Sequence, residues 1–95
     1  MKIIIIGAGK LGYKLAEALI NTGIEVTLLD SNAKAIERVS DHLDVLAIHA
    51  NGLEVGTLKQ LSIEKYDLLI ATTSSDEANA MICTIAKKET VNSFV

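Results

Sequence analysis

The segment Gly7-Ala8-Gly9-Lys10-Leu11-Gly12 carries three glycines at the spacing that the pyrophosphate of a dinucleotide requires. Gly7 permits a tight turn, Gly9 lets phosphate oxygens approach the backbone, and Gly12 lets a helix pack close to a strand. Ala8, Lys10 and Leu11 complete the six-residue loop, so all six are cofactor-binding candidates. Backbone N–H groups and the positive dipole end of the following helix would face the phosphates. Lys10 lies in that first turn, where a cation works against the dipole; a phosphate contact or a solvated lysine both account for it. Asp30 stands 18 residues beyond Gly12, where a carboxylate can accept both hydroxyls of an adenosine ribose, with Ser31 beside it. A 2′-phosphate would be repelled there and no Arg follows closely, which favours NAD over NADP. The competing readings are a glycine turn without ligand and an Asp that merely caps the next helix.

Two further groups complete the candidate site. Asn51-Gly52 offers either an adenine contact or a left-handed turn, and Thr72, Thr73 and Ser74 offer hydroxyls to the far half of a nucleotide or to a helix cap. His42 and His49 lack partners at metal-ligand spacing, so no metal site is expected. Cys83 falls on an apolar helix with no base nearby and reads as a small hydrophobe rather than a nucleophile. No catalytic residue is proposed, because a dehydrogenase also needs a proton donor and a substrate pocket that 95 residues cannot hold.

These residues sit between elements of alternating type. Ile3 to Ile6 is a short β-branched run ended by a glycine, hence a strand buried on both faces of a parallel sheet. Leu11, Leu15 and Leu19 give a helix with one apolar stripe, stopped at Gly23. Val26 to Leu29 repeats the strand, Ser31 or Asn32 caps a helix carrying Ala35, Ile36 and Val39, and Val45 to Ile48 makes a third strand. A shorter helix should hold Val55, Leu58 and Leu61. Leu68 to Ala71 forms the fourth strand, and the next helix presents Ala78, Ile82 and Ile85. Val91 to Val95 begins a fifth. This pattern predicts an α/β, Rossmann-like, doubly wound parallel sheet of order 3-2-1-4-5, cut short at strand 5. One domain over 1–95 is expected, either a fragment of a longer chain or a domain whose open edge a second chain closes, with the fragment preferred.

Composition narrows the function classes. Nine Lys and Arg against twelve Asp and Glu give a net charge of −3, which supplies no basic stripe for nucleic acid and no polybasic face for anionic lipid. The first apolar run stops after four residues, short of a signal sequence, and no run reaches the roughly 18 needed to span a bilayer. A single Cys cannot close an internal disulfide, which favours a reduced, cytoplasmic setting.

The run from Lys2 to Asp30, then Ala50-Asn51-Gly52, then Asp67 through Thr72-Thr73-Ser74-Ser75-Asp76-Glu77-Ala78-Asn79 resembles the N-terminal domain of the Trk and Ktr potassium-uptake regulatory subunits. This domain is also called KTN, or regulator of K⁺ conductance. The resemblance covers residues 1–89 and implies a non-enzymatic cytosolic regulator that binds NAD(H) or ATP/ADP. It further implies a homodimer or larger homo-oligomer acting on a membrane potassium-translocating subunit, and hence a place at the inner face of the cell membrane. Carried over, Gly7, Gly9, Lys10 and Gly12 would hold phosphates, Asp30 the ribose, and Thr72, Thr73 and Ser74 the far side. Asp76, Glu77 and Asn79 would mark the helix start. After strand 3 the family usually has Gly-Asp, a small residue and Thr or Ser where this chain has Ala50-Asn51-Gly52-Leu53, so the family's carboxylate contact and the nucleotide choice it implies do not carry over. The alternative reading is the cofactor domain of an NAD-dependent dehydrogenase or reductase.

Overall fold

The structure, a computed structural model, describes residues 1–54 and 56–88. Four parallel strands, β1 (Lys2–Ile6), β2 (Glu25–Asp30), β3 (Leu46–His49) and β4 (Leu68–Ala71), lie in the order β3-β2-β1-β4. Helices α1 (Lys10–Ile20) and α2 (Ala33–His42) connect the first three strands. The one-turn helix α3 (Thr57–Gln60) and a 3-10 turn over Ile63–Lys65 lead into β4, and α4 (Asp76–Lys88) follows it. Among the described residues this is the doubly wound arrangement expected from the sequence; the fifth strand, Val91 to Val95, lies outside them.

Strand alternation builds a three-layer sandwich. Ile3 and Ile5 point with Val26 and Leu28 toward α1 and α2, where Ala16, Ala35 and Val39 complete one core. Ile4 and Ile6 point the other way with Leu29 and Leu69, against Leu58, Ile63, Ile82 and Ala86. Both faces of β1 are covered, so its four isoleucines are at most 2% exposed. Burying four such side chains contributes on the order of 1.5–3 kcal/mol each before entropy is counted. The second core contains one buried polar pair, the hydroxyls of Thr27 and Tyr66 at 2.8 Å, which satisfy each other.

Two local expectations need correcting. Leu11 is 60% exposed, and the face of α1 that meets the sheet is Gly12 and Ala16 flanked by Tyr13, Leu15 and Leu19. Small residues take the central row because the helix lies close on the strand, which pushes the Leu11 position outward. The helix expected around Leu58 and Leu61 is broken instead, since Ser62 adopts φ 55° between the one-turn α3 and the 3-10 turn. Leu58 and Ile63 are nonetheless buried and Leu61 packs beside them; Val55 lies outside the described residues.

Candidate functional site

The strand order reverses between β1 and β4, and there a cleft opens at the carboxyl ends of the strands, the position at which open α/β sheets bind ligands. Its volume is about 420 Å³. Gly7 and Gly9 line it from the β1–α1 turn, Asp30 and Ser31 from the end of β2, and Asn51 and Gly52 from the segment after β3. Thr72, Thr73 and Ser74 line it from the end of β4, and Ile6, Leu29 and Ile82 give it an apolar floor. The sequence did not single out that floor, because strand-end and helix residues meet there only through the fold.

The three glycines divide into two kinds. Gly7 has φ 119°, and a Cβ on it would lie 2.8 Å from the backbone and hydroxyl of Thr72. A Cβ on Gly12 would lie 1.8 Å from the carbonyl oxygen of Gly7. These two glycines are demanded by packing between α1, β1 and β4. Gly9 has an ordinary φ of −75°, and a Cβ on it would meet nothing within 4 Å. Only a group occupying the cleft would exclude a side chain at that position.

Gly9 is also the N-cap of α1 and offers no side-chain cap, nor does the first turn hold an acidic residue. The first N–H groups of a helix have no intrahelical partner. At α1 they are left to whatever enters from solvent. α2 differs, because Asn32 Oδ1 accepts from the N–H groups of Lys34 and Ala35. Asn32 is therefore the cap, and Asp30 is not. Asp30 instead braces the site: Oδ2 accepts from Ala8 N at 2.7 Å and Oδ1 accepts from Asn32 N at 2.8 Å. A carboxylate has about four lone-pair positions, so each oxygen keeps acceptor capacity for a ribose hydroxyl. Ala8 contributes through this backbone bond, since its side chain is buried.

Lys10 and Leu11 are exposed and do not line the cleft. Lys10 borders a separate recess between α1 and α2 with Tyr13, Lys14 and Arg38. Asp30 is consequently the one charged residue among the described residues that line the cleft. Asn51 is not left-handed; its Oδ1 accepts from Leu53 N at 2.9 Å in a turn of its own. A Cβ on Gly52 would lie 3.0 Å from Ile6. His49 holds the loop beside Asp30, its Nε2 lying 2.9 Å from the carbonyl oxygen of Ser31, and His42 Nδ1 lies 2.7 Å from that of Arg38. No group of three or more metal-ligating side chains occurs among the described residues. Burial pushes the Cys83 thiol up, consistent with its packing beside the core. No described helix is long and apolar enough to cross a membrane.

The TrkA-N domain model matches residues 3–94. A Trk system potassium uptake protein TrkA homolog of Methanothermobacter thermautotrophicus is 32% identical over the whole chain, which spans 44% of that relative. TrkA homolog 1 of Methanosarcina mazei is 41% identical over 92% of the chain and 21% of its own length. For TrkA of Vibrio alginolyticus the figures are 34%, 90% and 19%. The chain thus spans less than half the length of these curated relatives. Among solved structures, a 3-hydroxyacyl-CoA dehydrogenase from Archaeoglobus fulgidus superposes with TM-score 0.74 at 18% identity, over 98% of this chain and 32% of that one. The TrkA-N domain of the inner membrane protein ybaL from Escherichia coli does so with TM-score 0.65 at 16% identity, over 99% and 85%. At these identities the likeness is one of fold.

Proposed function

The chain belongs to the TrkA-N domain family, and from that premise we propose that it is a nucleotide-binding regulatory domain of a potassium uptake system. The observation that carries the reading is the uncapped start of α1, which opens beside the Asp30 carboxylate at one cleft. Free N–H donors at a helix start suit a pyrophosphate, and a carboxylate at the end of the second strand suits a ribose. The ligand class is NAD(H) or ATP/ADP; the negative charge of Asp30 disfavours NADPH. Gly7, Ala8, Gly9 and Gly12 form the phosphate turn, Asp30 and Ser31 take the ribose, and Asn51 and Gly52 lie toward the base. The backbone N–H groups of Lys10 and Leu11 serve the phosphates while their side chains face outward. The domain acts in the cytoplasm as a homodimer or larger assembly on a membrane potassium-translocating subunit, without catalysis of its own.

Regulation requires that ligands distinguish two arrangements of the assembly, since equal affinity for both shifts nothing. Moving a population from 1:99 to 99:1 takes about 5.5 kcal/mol of differential affinity, which several subunits can share. Calorimetric titration with NAD⁺, NADH, ATP, ADP and NADPH tests the reading. NADH or ATP should bind, NADPH should not, and Asp30→Ala should remove binding. No binding of any nucleotide overturns it. The second reading is a cofactor domain of a dehydrogenase, a class of enzyme in which this fold also occurs. That reading expects the full-length protein to oxidise bound NADH on addition of an oxidised substrate, and the regulatory one expects none.

A further inference from the structure

The turn Thr72-Thr73-Ser74-Ser75 presents four hydroxyls at the cleft, and the structure separates them. A hydroxyl has a single proton to donate. Thr72 Oγ1 donates to the carbonyl oxygen of Gly7 at 3.0 Å and so ties β4 to the phosphate turn. Thr73 Oγ1 donates to Asn79 Oδ1 at 2.6 Å. Ser75 Oγ donates to Glu77 Oε2 at 3.1 Å and accepts from Ala78 N, which makes it the cap of α4. Three of the four protons are therefore spent inside the protein. Ser74 is exposed and lines the cleft, and neither its hydroxyl nor its N–H has a partner among the described residues.

Asn79 explains why Ser74 stands where it does. Its Oδ1 accepts from Thr73 N at 2.9 Å as well as from the hydroxyl, and its Nδ2 donates to Thr73 O at 3.2 Å. One side chain thus holds the N–H, the carbonyl and the hydroxyl of the residue immediately before Ser74. We propose that Ser74 is the hydrogen-bond donor of the far cleft wall to an oxygen of the bound nucleotide, and that Asn79 is the positioning residue that fixes it. This rests on the nucleotide reading above and names the donor within that site.

NADH titrations of four forms test it. Ser74→Ala should weaken binding about three- to tenfold, the worth of one net hydrogen bond, with no change in melting temperature. Asn79→Ala should weaken binding at least as much. Adding Ser74→Ala to it should cost nothing further, because a residue that acts through another does not add to it. Asn79→Asp keeps the acceptor oxygens for Thr73 but loses the donor to its carbonyl oxygen, and should recover only part of the affinity. If Asn79→Ala does not fold, Thr73→Val, which removes the hydroxyl and its bonds to Asn79 and to the Ser75 backbone but leaves the Thr73 N–H and carbonyl held by Asn79, takes its place in the same cycle. Unchanged affinity in Ser74→Ala overturns the donor assignment, and additive losses overturn the positioning role. Loss of NADH binding on Asp30→Ala together with indifference to Ser74 overturns this inference alone. Absence of NADH binding by the unaltered protein overturns the nucleotide reading itself.

Discussion

Helices α1 and α4 both begin at the same edge of the sheet, just after the adjacent strands β1 and β4, yet their first turns are built in opposite ways. α4 satisfies itself: Ser75 accepts from Ala78 N, Asp76 and Glu77 complement the dipole, and Asn79 clamps the loop before it. α1 has a glycine cap, no acidic residue in its first turn, and the cation Lys10 where an anion would be favourable. A chain selected only to fold would gain from capping both. Under the proposed function, α1 forgoes local stability where a nucleotide would supply it, whereas α4 forms the fixed wall opposite.

Gly12→Ala should give the largest effect on the α1 side, since its Cβ would overlap the Gly7 carbonyl oxygen 1.8 Å away. α1 would have to leave β1, at a cost of about 3 kcal/mol or more, read as a lower midpoint in urea unfolding. Asp30→Ala should follow, with loss of two ribose acceptors at charge-assisted strength, about 1.5–3 kcal/mol each, or at least a hundredfold in the NADH dissociation constant. The fold should also weaken, because Ala8 N and Asn32 N lose their acceptor. Retention of NADH affinity in Asp30→Ala would remove the functional half of the contrast.

Gly9→Ser tests the contrast from within by making α1 resemble α4. The position has room for a side chain and an ordinary φ, so a serine there can cap the helix. Stability should rise by a few tenths of a kcal/mol while NADH affinity falls about tenfold, as the serine competes for the donors and fills the approach. Thermal melts and titrations on the same preparation check both signs. A fall in stability together with unchanged binding would mean that α1 is open for some other reason.

Much of this arrangement was legible in the sequence. The strands announce themselves through runs such as Ile3 to Ile6, because burial on both faces leaves little place for polar side chains, Thr27 of β2 being held by its bond to Tyr66. The glycine motif and Asp30 were legible because each needs a particular residue type at a particular distance along one βαβ unit. What surrounds each glycine was not: a Cβ on Gly7 or Gly12 would meet the backbone of Thr72 or of Gly7, whereas one on Gly9 would meet open space. Leu11 was misjudged for the same reason, as helical spacing gives a stripe but not which edge of it faces the sheet. The division of labour among Thr72, Thr73, Ser74 and Ser75 was hidden too. It depends on where the Gly7 carbonyl and the Asn79 amide lie in space.

Ser75→Ala should have the smallest effect, and it tests the α4 half of the contrast. The substitution removes the acceptor for Ala78 N and the donor to Glu77, and a lost cap typically costs about 1 kcal/mol. Ser75 lines the cleft, so a ligand role for its hydroxyl is the alternative. A hydroxyl whose proton is already given to Glu77 has none for a nucleotide, and affinity for NADH should therefore stay within twofold of the unaltered protein. A melting temperature that drops without loss of binding would fit a self-satisfied α4 facing an open α1. Binding that falls while the melting temperature holds would make both helix starts ligand sites, and the asymmetry between them would disappear.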